Sequence, residues 1–479
     1  MIKERYFKIY PTDLPKEEPE RQYVFMDLLR QELSKKKASE NREFTMHIET
    51  FGCQMNAKDS EKLAGILTYI GYVPVETEDA DLVLYNTCTV RENANSRVYG
   101  RIGNLGRLKK KRPGMKIVLC GCMMQESGNI AKIKESYRFV DIIFGTHNIY
   151  MLAELLYRSF HFPGMITDVR EEADRIVEDL PSYRKYDFKA GVNIMYGCNN
   201  FCTYCIVPYV RGRERSRNPV DIVRETEQLV KEGVREVMLL GQNVNSYGKN
   251  LEPPVSFAEL IHEVSKVEGL QRIRFMTPHP KDISEELIRE VADNPKICNH
   301  IHLPLQSGST RLLKLMNRHY TKEQFLALVK RIRELIPDVA ITTDIIIGFP
   351  GETEEDFKDT LDVVREARFM SAFTFIYSKR SGTPAADMTG QVPEEVSADR
   401  MKRLLEVVGE TAAREAEKLT GSVVTVLCET YKEETGFVTG RLENNLLVHF
   451  PADATLLGSM VRVRLTECRG FYYIGCMQQ

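Results

Sequence analysis

The sequence predicts an α/β chain in three modules: an open, mostly parallel-sheet domain, a partial (β/α) barrel and a small all-β barrel. Three observations predict it. Apolar strand-like runs alternate with helix-spaced segments twice over, first across residues 45–160 and again across 189–416. A charged, irregular stretch at 161–188 separates the two series and reads as a linker. From 417 to 479 the chain switches to short strands broken by turn residues.

Residues 1–44 form a highly charged N-terminal extension. Within it, Tyr23 to Leu29 begins an amphipathic helix that either docks on a neighbour or lies in solvent. The first domain opens with a strand at 45–50 and a helix at 57–70, where Leu63, Ile66, Leu67 and Ile70 share one face. Strands at 82–86, 116–120 and 141–144 follow, with helices from about 91, 126 and 148. In the second series the candidate strands are 192–196, 235–240, 271–276, 300–304, 339–347 and 371–376, and the last helix is long, at about 393–419. Such barrels carry their active sites at the C-terminal ends of the strands. The closing strands, near 423–427, 436–441, 446–450, 460–465 and 470–475, suggest a small barrel in the style of oligonucleotide-binding modules.

With 479 residues, 43% of them hydrophobic and 28% charged, the chain has ample material for large cores, which excludes wholesale disorder. No apolar run is long enough to span a bilayer. The start, Met1 to Arg5, lacks the apolar segment of a secretory signal, so a cytoplasmic protein with no membrane partner is expected. The formal charge is −2, so a nucleic-acid partner has to meet a local basic patch. There are eleven cysteines. In a reducing compartment such cysteines bind metal, catalyse or pack.

Their spacing separates these roles. Cys198, Cys202 and Cys205 stand at C-x3-C-x2-C directly after the first barrel strand. Three thiolates can ligate three irons of a [4Fe–4S] cluster and leave the fourth open to an external ligand. Zinc is the alternative, but structural zinc wants four ligands in local pairs, and no fourth Cys or His is nearby. Cys53, Cys88 and Cys122 are scattered, yet each lies just past the end of a predicted parallel strand. Loops at that edge of an open sheet converge on one crevice, so the three either hold a second cluster or are unrelated buried cysteines. Cys120 rivals Cys122 as third ligand but lies within its apolar strand run. Cys120, Cys298, Cys428, Cys468 and Cys476 show no ligand spacing and read as packing residues.

The cysteine triad after a barrel strand resembles the radical S-adenosylmethionine (SAM) superfamily. Together with Thr50–Asn56, Tyr85–Glu92, Gly121-Cys122, His302–Ser309 and Gly348–Thr353, the chain is similar to the methylthiotransferase family over about 45–479. Its three modules would be a cluster-binding domain, a radical SAM partial barrel and a TRAM barrel. Cys53–Asn56 and Val90–Ala94 look most like the branch that methylthiolates carbon 2 of N(6)-dimethylallyladenosine at position 37 of tRNA. The threonylcarbamoyladenosine and ribosomal protein S12 branches are the alternatives, and a non-catalytic iron–sulfur RNA-binding sensor is the rival from another class.

The resemblance implies two [4Fe–4S] clusters, one on each triad, with all six cysteines catalytic. One SAM would be the radical source and a second the methyl donor, with sulfur carried at the auxiliary cluster on Cys53, Cys88 and Cys122. It implies a tRNA anticodon stem-loop as partner and a low-potential electron donor such as flavodoxin; a monomer is expected. Tyr204 would lie against the adenine of SAM. Gln242, Asn243, Gln306 and Ser307 follow barrel strands, where contacts to SAM or substrate belong. Asp344, inside an apolar strand, should be paired or functional. Gly348–Thr353 is either part of the site or a tight strand-to-helix turn. For phosphates the candidates are the run Arg107–Arg112, with Lys109, Lys110 and Lys111, and the run Arg211, Arg213, Arg215 and Arg217. The last barrel is charge-balanced, so its RNA role rests on the resemblance, with Arg441, Arg462, Arg464, Phe471, Tyr472 and Tyr473 as candidates.

Overall fold

The structure is a computed structural model that describes residues 10–11, 13–89, 92–173 and 175–478, with the backbone alone at 92–96. Val90 and Arg91, the side chains of Glu92, Asn93 and Ala94, and the stretch from Met1 to Ile9 therefore lie outside the described residues. The chain forms two compact units, Met1–Lys185 with Ile206–Arg213, and Tyr186–Cys205 with Glu214–Gln479.

In the first unit, α1 (Glu20–Glu40) precedes β1 (Thr45–Thr50), α2 (Gln54–Ile70), β2 (Val73–Pro74), β3 (Leu82–Thr87), α3 (Glu92–Lys111), β4 (Lys116–Gly121), α4 (Ser127–Ser136), β5 (Ile142–Phe144), α5 (Leu152–His161) and β6 (Ile166–Asp168). A short helix, α6 (Val207–Arg211), joins them from later in the chain. The strands pair in parallel in the order β2-β1-β3-β4-β5-β6. Covered on both faces, β3 is buried throughout, which is why it reads as an apolar run and not as an alternation. Two edge strands escape the sequence pattern, because β2 has only two residues and β6, Ile166–Asp168, holds only one apolar residue. β6 falls in the stretch read as linker, and the same stretch returns to pack on α2: Tyr183 N donates to Glu61 O at 2.9 Å.

Of the two readings of the N-terminal helix, the docked one holds. Phe25, Met26, Leu29 and Leu33 of α1 are buried in the apolar cluster that contains α2 and α5. Arg21 grips Glu154 of α5 through two bonds, at 2.9 and 3.1 Å.

The second unit contains β7 (Lys189–Asn193), β8 (Met195–Tyr196), β9 (Arg215–Ser216), α7 (Pro219–Lys231), β10 (Glu236–Leu240), α8 (Phe257–Ser265), β11 (Arg272–Phe275), α9 (Glu285–Asp293), β12 (His300–His302), α10 (Thr310–Leu315), α11 (Lys322–Leu335), β13 (Ala340–Ile347), α12 (Glu354–Ala367), β14 (Ser371–Ile376) and α13 (Glu394–Glu417). Its parallel strands form two three-stranded sheets, β7-β10-β11 and β12-β13-β14, and a single parallel bridge from Ile273 to Ile297 links them into an open barrel. The first strand starts at Lys189, three residues before the predicted start at 192. β15 (Val423–Lys432), β16 (Phe437–Arg441), β17 (Leu447–Pro451), β18 (Met460–Cys468) and β19 (Tyr472–Met477) close a five-stranded barrel. Arg272 and Arg274 of β11, both buried, donate to its backbone carbonyls at Thr425, Arg441, Leu442 and Glu443. Among the described residues no helix is long and apolar enough to cross a membrane.

Candidate functional site

The loops after β1, β3 and β4 bring Cys53, Cys88 and Cys122 to the carboxyl edge of the first sheet. Their approach is close enough to demand glycine twice. Gly52 has φ +110°, and a methyl there would meet Cys88 Sγ at 2.7 Å. Gly121 has φ +94°, and a methyl there would meet Thr87 O at 2.3 Å. Asn56, wholly buried on the first turn of α2, ties the loops together. Its Nδ2 donates to Phe51 O and Thr87 O, both at 2.9 Å. Its Oδ1 lies 3.7 Å from Cys53 Sγ and 3.9 Å from Cys122 Sγ. Asn86 locks the underside, donating to Asn56 O at 2.8 Å and Ser60 Oγ at 3.0 Å. Burial pushes the Cys122 thiol up to about 11, and the Arg211 guanidinium pulls it the other way. Cys120 is fully buried in the apolar core, as its place in the strand run predicts.

The second triad occupies the loop after β8. A turn about 115 residues later clamps it. Thr203 donates through N to Met316 O at 3.1 Å and through Oγ1 to Leu315 O at 3.0 Å. Asn317 Nδ2 donates to the carbonyls of Asn200 and Phe201, both at 3.1 Å. Arg318, buried, donates to Cys202 Sγ at 3.4 Å, Tyr204 Oη at 3.5 Å and Pro304 O at 3.0 Å. Burial pushes Cys198 up to about 11, against a hydrogen bond from the Asn200 backbone. Among the described residues no group of three or more Cys, His, Asp and Glu side chains is close enough to hold a single metal ion. Ligands of one ion sit closer together than those of a cube-shaped cluster, and three soft thiols suit iron–sulfur chemistry.

Around the mouth of the open barrel several buried polar atoms have no partner among the described residues. They are Asn193 Oδ1, Asn243 Oδ1, both amide atoms of Asn245, and His279 Nε2, in or after β7, β10 and β11. Buried polar atoms left without a protein partner call for a water or a ligand to satisfy them. Asn243, a binding candidate from the sequence, is among them, with its Nδ2 spent on Asp282 at 2.8 Å. Asn245 and His279 are further candidates that the sequence reading did not name; their position just past a strand end is the signal that Gln242 and Asn243 already carried. Gln306 takes a left-handed φ of 67° and bridges to Ile345, while Ser307 is fully buried and caps Ser309 N at 3.2 Å. Tyr204 packs beside Leu312, Met316 and Phe349. Asp344 is paired, 3.3 Å from His302 Nε2. Gly348–Thr353 is a structural turn in which Glu352 binds Gly348 N and buried Arg400, both at 2.8 Å.

Several phosphate candidates need correction. Arg211 and Arg217 are buried, held by Asp59 and Glu225 at 2.7 Å each, so neither guanidinium can face an RNA backbone. Tyr473 is a core residue whose Oη donates to Ala416 O at 2.8 Å. Arg441 is engaged by Glu429 and Lys109 by Asp141. Lys110, Lys111, Arg213, Arg462, Arg464, Phe471 and Tyr472 are exposed, and Arg215 is half-buried over the Tyr196 ring.

Comparison with known proteins agrees with this layout. Residues 45–145 match uncharacterized protein family UPF0004, 192–364 the radical SAM superfamily and 417–476 the TRAM domain. The tRNA-2-methylthio-N(6)-dimethylallyladenosine synthase of Lachnoclostridium phytofermentans is 62% identical over 95% of this chain and 100% of its own length. The proteins of the same name from Alkaliphilus oremlandii and Clostridium tetani are 54% and 53% identical, over 88% and 91% of this chain and 90% and 96% of theirs. Among solved structures, the radical S-adenosylmethionine methyltransferase TsrM from Kitasatospora setae, with cobalamin and a [4Fe–4S] cluster bound, has a TM-score of 0.52 at 14% identity, over 72% of this chain and 74% of its own. That likeness is one of fold.

Proposed function

The chain belongs to the family of tRNA-2-methylthio-N(6)-dimethylallyladenosine synthases, and on that premise we propose that it is a radical SAM enzyme that methylthiolates carbon 2 of N(6)-dimethylallyladenosine at position 37 of tRNA. The observation that carries the reading is the convergence of a second thiol triad, Cys53, Cys88 and Cys122, about Asn56. Cys198, Cys202 and Cys205 hold one [4Fe–4S] cluster and Cys53, Cys88 and Cys122 the other. When bound, the clusters and SAM supply the one-electron chemistry that breaks an inert carbon–hydrogen bond, and the sulfur and methyl that replace the hydrogen.

The chain's own residues bind and orient. The Leu315–Arg318 turn fixes the loop that carries Cys202, and Arg318 donates a hydrogen bond to the Cys202 sulfur. Asn243, Asn245 and His279 offer polar atoms to SAM or adenosine at the barrel mouth. Tyr204, Gln242 and Gln306 remain at strand or loop ends suited to the same ligands. Lys110, Lys111 and Arg462 meet tRNA phosphates. The enzyme works as a cytoplasmic monomer supplied with electrons by a flavodoxin-class donor.

The test is mass spectrometry of tRNA nucleosides from a deletion strain complemented with this chain. The methylthio nucleoside is expected with the intact protein. The unmodified dimethylallyl precursor is expected with the Cys53→Ala/Cys88→Ala/Cys122→Ala variant. Methylthio product in that variant sinks the assignment.

A further inference from the structure

Residues Ile206–Arg213 leave the Cys198–Cys205 loop and pack within the first unit. Ile206 and Val210 lie against Cys122. Arg211, at the end of α6, is 4% exposed. A buried guanidinium is costly unless paired. Asp59 pairs it, with Nη1 2.7 Å from Oδ2. The other arm of the fork does something the ion pair alone does not need: Nη2 donates to Asn56 Oδ1 at 2.7 Å. That oxygen is the one that lies 3.7 Å from Cys53 Sγ and 3.9 Å from Cys122 Sγ. A basic residue in a run that looked like phosphate binding thus ends as a buried cation beside the first unit's thiols.

Resting on the reading of Cys53, Cys88 and Cys122 as cluster ligands, we propose that Arg211 is a positioning residue of that centre, which holds Asn56 between two of the ligands and sets the centre's reduction potential through a fixed buried charge. A cation beside a cluster stabilises the form that carries one more electron. Neutralising it therefore lowers the potential, while a lysine retains most of the charge.

The experiment uses the full chain with Cys198→Ala, Cys202→Ala and Cys205→Ala, so that one centre remains after anaerobic reconstitution. Iron and sulfide are counted, and the midpoint potential is read by redox titration followed by electron paramagnetic resonance. Arg211→Met is expected to shift the midpoint to more negative potential, and Arg211→Lys to stay near the parent. Arg211→Gln keeps a donor for Asn56 without the charge, and should shift as the methionine variant does. Loss of iron in Arg211→Met, with iron retained in Arg211→Gln and Arg211→Lys, supports the positioning role as well. An unshifted midpoint with full iron in either neutral variant overturns the proposal. A parent that binds no iron at all overturns the reading of the triad, and the inference with it.

Discussion

The Arg318 guanidinium donates to Cys202 Sγ at 3.4 Å from a position 116 residues further along the chain. The same side chain reaches Tyr320 Oη at 3.1 Å and Pro304 O at 3.0 Å, so it joins the cysteine loop to the loop after β12. Replacing a partner of this kind around a metal centre costs roughly 10- to 100-fold in affinity or activity. Arg318→Met is expected to lower SAM cleavage by about that factor and to deplete iron from the Cys198 triad alone. Iron analysis beside 5′-deoxyadenosine production checks it; full iron with full cleavage refutes it.

Glycine at 121 is required by both conformation and space, whereas glycine at 100 is required by neither. A methyl at Gly121 meets the Thr87 backbone at 2.3 Å, and a methyl at Gly100, within α3, meets nothing within 4 Å. Gly121→Ala should destabilise by about 1–3 kcal/mol and reduce iron bound by the first unit. Gly100→Ala should stabilise by roughly 0.5–1 kcal/mol. Denaturant midpoints of the two variants, measured on metal-free protein, should move in opposite directions.

Histidine 300 makes stability depend on pH. Burial pushes it down to about 3, with Arg274 and His302 adding to the effect. It sits 3.0 Å from Thr342 Oγ1. The unfolded chain takes up a proton near pH 6.5 and the folded chain does not. Stability is therefore complete above about 6.5 and falls as pH drops toward 3, with a slope of up to about 1.4 kcal/mol per pH unit from this residue. Urea titrations of the metal-free protein between pH 7 and 5 should show that slope reduced in His300→Asn. An identical slope in the two proteins contradicts the assignment.

Charge at the end of α3 divides by partner. Lys109 is spent on Asp141, while Lys110 and Lys111 are exposed. Lys110→Ala and Lys111→Ala should each weaken tRNA binding and flatten its dependence on salt by about one unit of slope in a log–log plot. Lys109→Ala should cost stability and leave the slope unchanged. Filter binding across a salt series distinguishes the two outcomes.

The alternation of strands and helices was legible because parallel sheets write their strands as apolar runs and place loops at one edge. Cys53, Cys88 and Cys122 could be matched to three such edges. The partners of those cysteines were not legible. Asn56 and Arg211 are 155 residues apart, and nothing local marks either as a neighbour of the other. Arg211 stood in a run whose charge pattern suggested phosphate, but burial decides what a guanidinium meets, and burial is a tertiary property. Arg318 sits in a helix-ending turn whose local sequence reports only the turn. Short β6 was hidden for a different reason: Ile166-Thr167-Asp168 holds one apolar residue, too few to make the apolar run that marked β5.

The clamp on the Cys202 loop also sets a schedule for the protein's synthesis. A ribosome adds roughly 5–20 residues per second. Cys202 therefore waits roughly 6 to 23 seconds for Arg318, given the 116 residues between them. Asn56 waits longer still for Arg211, 155 residues away. Each set of thiols exists on the nascent chain well before the guanidinium that completes its surroundings. The two centres are thus completed in turn, the surroundings of Cys53 and Cys122 once residue 211 is made and those of Cys202 only once residue 318 is made.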